Sequence, residues 1–158
     1  MNERTESPSS APATPSATQS FTEEAARDAA LAAWRGMRIE QVKAYHQGKS
    51  SGAKLSDFAA DKALSKIEGE LSRYRGAGVH FEGSPRLTAR VTAVDVKAAP
   101  QRVTITECFD TTEWKAMQGS KSVTSANQVR RSTVTGSVRA LGTHWKVVDY
   151  DVDKEHAC

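Results

Sequence analysis

Hydrophobic positions along this chain follow two different periods, and the change between them falls at Gly78. Upstream the spacing is helical. The segment SFTE has the S-x-x-E form of a capping box, with Ser20 as the cap and Glu23 reaching back to it. It opens a helix that runs to about Gln47, where Gly48 supplies the residue that ends it. Leu31, Trp34, Val42 and Tyr45, with Ala30 and Met37 beside them, lie on one face of that helix, and Arg38 falls on the same face. After the turn-rich KSSGAK, the stretch LSDFAADKALSKIEGELSRYRGAG predicts a second helix. Leu55 and Phe58 form a short leading turn, Leu64, Ile67, Leu71 and Tyr74 make the buried face, and Gly76 and Gly78 end the element.

Downstream of Gly78 apolar and polar residues alternate. Strands are expected at about 79–82, 86–97, 102–110, 127–139 and 143–152, all rich in Val, Thr and Ile. The alternation slips between Val91 and Val94, and again between Val147 and Val148. Such a slip marks a β-bulge, which bends the sheet. The expected fold class is therefore α+β: two N-terminal helices packed on one face of a strongly curved antiparallel sheet, with the long first helix lying in a conical cavity.

Composition narrows this picture. At 158 residues and 38% hydrophobic content the chain builds one core. Residues 1–20, MNERTESPSSAPATPSATQS, carry almost nothing that can be buried and read as a disordered tether, leaving 21–158 as a single domain. Linkers of this composition often separate a membrane anchor from an envelope domain. The net charge of +3 comes from interspersed charges of both signs, without the concentrated basic stripe that a phosphate backbone requires, so no nucleic-acid partner is expected. There is no apolar run long enough for a membrane span and no export signal in the sequence. Any membrane association would come through an N-terminal anchor not present in it.

The element order, a helix, a second helix and then a curved antiparallel sheet, resembles the cystatin-like roll of the nuclear-transport-factor-two-like superfamily, which includes SnoaL-like and ketosteroid-isomerase-like proteins. More closely, AADKALSKIEGEL, ITECFDTTEW, THWKV and the terminal Cys158 resemble a family of small secreted or lipid-anchored proteins of high-GC Gram-positive bacteria, function unassigned. In that family a C-x-D-x-T-x-W motif, here Cys108, Asp110, Thr112 and Trp114, ends a central strand. The resemblance implies an extracytoplasmic location, in the cell envelope or secreted, and a Cys108–Cys158 disulfide. This chain departs from the pattern in lacking a lipobox cysteine near its start. The residues themselves agree with the pairing: the two cysteines have no metal-ligand spacing, and one lies in a strand while the other ends a charged tail. Two unrelated thiols in a cytosolic protein is the alternative.

Candidate chemistry gathers around the same strand. If Val103, Ile105 and Phe109 face the helices, alternation turns Glu107 inward as well. Glu107 is then either a base of raised pKa or the partner of Arg38, and the pairing is preferred because a buried carboxylate needs a cation. Asp110 is expected to cap the following turn through the amide of Thr111 or Thr112. Trp34 and Trp145 lie in periodic segments and read as core, whereas Trp114 follows a strand end and is the first choice for a ligand or partner contact at the cone mouth. Residues 115–127 form no evident turn and are expected as a mobile rim around that opening. His46, His80, His144 and His156 have no metal-site spacing, and no nucleophile or phosphate-loop motif is present, so neither metal nor cofactor is expected.

Three functions follow. The first is a non-catalytic extracytoplasmic domain that binds a small molecule or an envelope protein at the cone mouth, through Trp114, Asp110, Glu107, Arg38 and Tyr45. The second is a structural module of a cell-surface or conjugation apparatus. The third is an isomerase-like or dehydratase-like enzyme with Glu107 or Asp110 as base and Tyr45 as a polarising donor.

Overall fold

A computed structural model describes residues 21–158; the proposed tether and Ser20 lie outside the described residues. Helix α1 (Glu23–Gln47) is capped by Thr22, whose hydroxyl accepts the Ala25 amide at 3.2 Å, so the cap lies two residues beyond the one expected. Starting the helix after Thr22 puts the acidic pair Glu23 and Glu24 in its first turn, where carboxylates are favoured. Gly48 ends α1 in the left-handed conformation, with its amide donating to Ala44 and Tyr45. The leading turn is α2 (Leu55–Phe58), and α3 (Asp61–Gly76) buries Ala63, Ile67 and Leu71. No helix among the described residues is long and apolar enough to cross a membrane.

Seven strands follow: β1 (Val79–Gly83), β2 (Arg86–Asp95), β3 (Arg102–Asp110), β4 (Trp114–Gln118), β5 (Lys121–Ser122), β6 (Arg131–Leu141) and β7 (His144–Asp153). They form two antiparallel sheets, one of order β2-β3-β6-β7 and a smaller one of order β1-β4-β5. The single expected sheet is therefore corrected. Gly83, at φ 77°, and Pro85 turn the chain between β1 and β2, so β1 pairs with β4 instead of its neighbour in sequence. The expected mobile rim at 115–127 is corrected too. Residues 114–122 make a hairpin whose two-residue turn, Gly119-Ser120, starts on a left-handed glycine. The strand expected from 127 begins only at Arg131 and extends to Leu141.

Both bulges lie where the alternation slips. The β2/β3 register shifts between Val91 and Ala93, leaving Thr92 unpaired, and the β6/β7 register shifts opposite Val148. The core lies between α1 and the four-stranded sheet, where Ala26, Ala30, Trp34 and Met37 meet Val103, Ile105, Val134, Val138 and Val147. Helix α3 closes it with Ala63, Ile67 and Leu71. Ala26, Ala30 and Ala33 make the inner face of the first half of α1 small, while Trp34, Met37, Arg38 and Tyr45 supply the bulk further along.

Candidate functional site

Along α1 the residues Trp34, Arg38, Gln41 and Tyr45 step by four, three and four, so they form one ladder on the buried side of the helix. Glu107 faces that ladder from β3, in phase with Val103 and Ile105 as alternation requires. Glu107 is 1% exposed and Arg38 4% exposed. One carboxylate oxygen of Glu107 accepts from Arg38 Nε at 2.9 Å and lies 2.7 Å from Nη2; the other accepts from Trp34 Nε1 at 2.7 Å. The guanidinium also donates to Gln41 Oε1 at 2.7 Å and lies over the rings of Phe109, Trp34 and Tyr150. Burying both charges is offset only because every lobe of the pair finds a partner. With both oxygens engaged, this carboxylate is not a free base.

The ladder continues beyond the ion pair. Gln41 Nε2 reaches the Tyr45 hydroxyl at 3.5 Å, and that hydroxyl donates to the Glu70 carboxylate on α3. A polar chain thus runs from β3 through α1 to α3. The ring of Tyr45 sits among Trp114, Phe81 and Tyr74, and the Phe81 and Trp114 rings stack with centroids 4.9 Å apart. Burial, reinforced by the Glu70 carboxylate, pushes the Tyr45 hydroxyl well above its ordinary pKa; the same two causes push Tyr150 up to about 12.

A cavity of about 310 Å³ opens on this end of the chain of contacts, with Arg38, Gln41, Tyr45, Glu70, Trp114 and Tyr150 among the residues lining it. A second cavity, of about 560 Å³, lies on the other side of Arg38, between α1 and β2. Arg38 lines both, and Glu107 lines the second. The ion pair is thus part of the wall between them.

The structure brings Arg38, Glu107, Tyr45 and Trp114 together but leaves Asp110 aside. Asp110 accepts from the Thr112 amide at 2.9 Å and the Thr112 hydroxyl at 2.6 Å, fixing the turn after β3. Those bonds hold its carboxyl below the usual carboxylate range, and it does not line the aromatic cavity. Trp114 is buried against Phe81 and contributes an edge to the cavity instead of an open platform. Sequence reasoning missed Glu70 and Gln41, although the signal was present. Glu70 lies three residues after Ile67 and four before Tyr74, and Gln41 lies between Arg38 and Tyr45 at helical spacing. On the opposite face of β3, Cys108 is bonded to Cys158, with Cα atoms 5.7 Å apart. The tail reaches it after a turn in which Asp153 accepts the Glu155 and His156 amides. Among the described residues there is no group of three or more His, Cys, Asp or Glu placed to hold a metal ion.

No protein-family model matches the chain, and no curated protein matches it. Among solved structures it is similar to the crystal structure of the intermembrane space region of the chloroplast protein ARC6. The identity is 14% and the TM-score 0.60, over 85% of this chain and 98% of that one. At that identity the likeness is one of fold.

Proposed function

We propose that this is a non-catalytic extracytoplasmic domain that binds a small molecule in the cavity bounded by Tyr45, Glu70, Trp114 and Tyr150. The observation that carries the reading is the contrast between the two inward carboxylates. Glu107 is saturated by Arg38 and Trp34 and Asp110 is held by Thr112 outside the cavity, which speaks against either as the base of the isomerase-like alternative, while Glu70 stands in the cavity with one oxygen held by Tyr45. A concave pocket with aromatic walls and a few convergent polar groups is the ordinary form of a small-molecule site. It favours a compound with an apolar body and a hydrogen-bond donor.

The element order, the two bulges and the helix lying against the sheet support reading the fold as a cystatin-like roll of the nuclear-transport-factor-two-like kind, with this cavity as the cone mouth. The disulfide and the fold shared with an intermembrane-space region support a location outside the cytoplasm, in the manner of the secreted or lipid-anchored family that the motif resembles. Assembly through the sheet is less well supported, because the face turned away from α1 presents Thr88, Thr106, Thr133 and Thr135 instead of an apolar patch.

An NMR fragment screen tests the reading. Saturable hits are expected to perturb Tyr45, Glu70, Trp114 and Tyr150, and to be lost in Glu70→Gln while Arg90→Gln leaves them unchanged. Hits that bind without perturbing those residues, or the absence of any saturable hit, would overturn it.

A further inference from the structure

The larger cavity, of about 560 Å³, is a groove beside the edge of the main sheet, and its chemistry differs from that of the aromatic pocket. Its floor is α1, where Arg35, Arg38, Ile39 and Val42 face it, and its side is β2, where Leu87 and Ala89 do. At this groove Ile39 is 64% exposed and Leu87 38% exposed. Strand β2 pairs only with β3 and so forms one edge of the four-stranded sheet. The opposite edge, β7, is covered: the Ala60 amide donates to the Val147 carbonyl, and Lys66 Nζ donates to the Tyr150 carbonyl. At residues 86–91 the backbone makes no hydrogen bond outside the β2/β3 ladder among the described residues. Pro85 lies just before this open stretch and the bulge at Thr92 ends it; between them, at residues 86–91, neither a proline nor a bulge interrupts the edge.

Alternation gives the edge two faces. Leu87, Ala89 and Val91 turn toward α1, opposite Phe109, Glu107 and Ile105, while Arg86, Thr88 and Arg90 turn outward. Neither Arg35 nor Arg90 has an ion-pair or side-chain hydrogen-bond partner among the described residues. Arg86 makes an exposed contact with Glu113 at 3.3 Å and lies opposite Asp110 in the ladder. An incoming strand opposite this edge would place alternate side chains into the apolar groove and the others beside arginines. A second copy of this chain fits poorly, because it would bring Arg35, Arg86 and Arg90 of both molecules to one seam.

We propose that residues 86–91 and the adjoining groove form a docking edge for an extended segment of a partner protein in which apolar and acidic residues alternate. The segment adds a fifth strand beside β2. Its backbone completes the open ladder, its apolar side chains fill the groove against Ile39, Val42 and Leu87, and its carboxylates pair with Arg86 and Arg90 on the outer face. Arg35 at the groove supplies further positive charge that steers an acidic segment to the site.

The test uses the full chain and a short synthetic peptide alternating Glu and Val, of about six residues to match the open edge. Binding is followed by NMR, together with amide exchange at residues 86–91. The expected result is slowed exchange in that stretch, shifts at Ile39, Val42 and Leu87, and affinity that falls with salt. The Arg35→Glu/Arg90→Glu variant should bind at least about tenfold more weakly and should gain affinity for a Lys/Val peptide. Tyr45→Phe, which alters the aromatic pocket, should leave peptide binding unchanged, so failure here is distinguishable from failure of the small-molecule reading. Peptide shifts confined to Tyr45, Glu70 and Trp114, equal binding by a peptide of the same composition with its Glu and Val in separate blocks, or no binding would overturn the proposal. So would sedimentation showing a dimer whose 86–91 amides are protected without peptide, which would assign the edge to a second copy.

Discussion

Trp34 of α1 lies directly on Gly136 of β6: the six-membered ring of the indole occupies the space that a side chain at Gly136 would need. The Asp149 carbonyl, 3.1 Å from the same point, closes the other side. This close approach seats the indole where its N–H meets Glu107. Gly136 has no left-handed backbone requirement, so alanine there tests the collision alone. Gly136→Ala is expected to destabilise the domain by about 1–3 kcal/mol through overpacking. It should also shift the tryptophan near-UV circular dichroism as the indole leaves Glu107. A denaturant melt matching wild type would show that the ring has room to move.

The Arg38–Glu107 pair makes a second, independent prediction. Glu107→Gln leaves the guanidinium of Arg38 buried with a neutral partner, a loss of about 3 kcal/mol. The double variant Arg38→Met/Glu107→Leu removes both charges and is expected to recover most of that loss in chemical denaturation. If Glu107→Gln were instead as stable as wild type, the pair would be contributing nothing beyond what an amide supplies.

Arg38 and Glu107 also mark how far the sequence could be read. A cation on the apolar face of one helix and a carboxylate in phase with a buried strand identify each other, because neither is tolerated alone. The bulges were legible for a related reason: a slip in alternation would expose an apolar side chain unless an extra residue restores the phase, as Thr92 and Val148 do. What escaped depended on pairing across the chain. The segment Trp114–Ser122 has weak alternation and becomes strand because β1 lies alongside it, with Phe81 opposite Ala116. Only the three-dimensional arrangement brings Trp114, Phe81 and Tyr45 into one stack. Glu70 was missed for a simpler reason. Its helical phase was visible, but a lone carboxylate beside Leu71 reads as a solvated residue until the Tyr45 hydroxyl is placed against it.

The disulfide predicts a stability response to reductant. Cys108 and Cys158 are 50 residues apart, and closing a loop of that length contributes about 4 kcal/mol in the chain-entropy model. Reduction is expected to lower the denaturation midpoint toward that limit. Cys158 is exposed at the end of the chain, so Cys158→Ser removes the link without opening the core and should behave like the reduced protein. Unfolding curves with and without dithiothreitol check this: the variant should show no further response. A wild-type midpoint insensitive to reductant would mean that the tail is held by other contacts.

The tyrosines supply a pH-dependent signature. The chain has three, and Tyr45, Tyr74 and Tyr150 all have pKa values raised above the ordinary 10, in each case by burial first and the Glu70 carboxylate second. A phenol whose pKa is higher folded than unfolded keeps its proton longer in the native state. Its contribution to stability is therefore complete below the unfolded value and is lost as pH rises toward the folded one. For Tyr150 that window runs from 10 to about 12, and for Tyr45 it extends further. Absorbance at the phenolate band should remain low at a pH where free tyrosine is half ionised, and should rise together with loss of far-UV circular dichroism. Glu70→Gln removes the second cause at all three positions, so the same titration should begin at lower pH relative to unfolding, most clearly for Tyr74, the least buried of the three. Ionisation of Tyr45 near pH 10 in a protein that is still folded would contradict its burial beside Glu70.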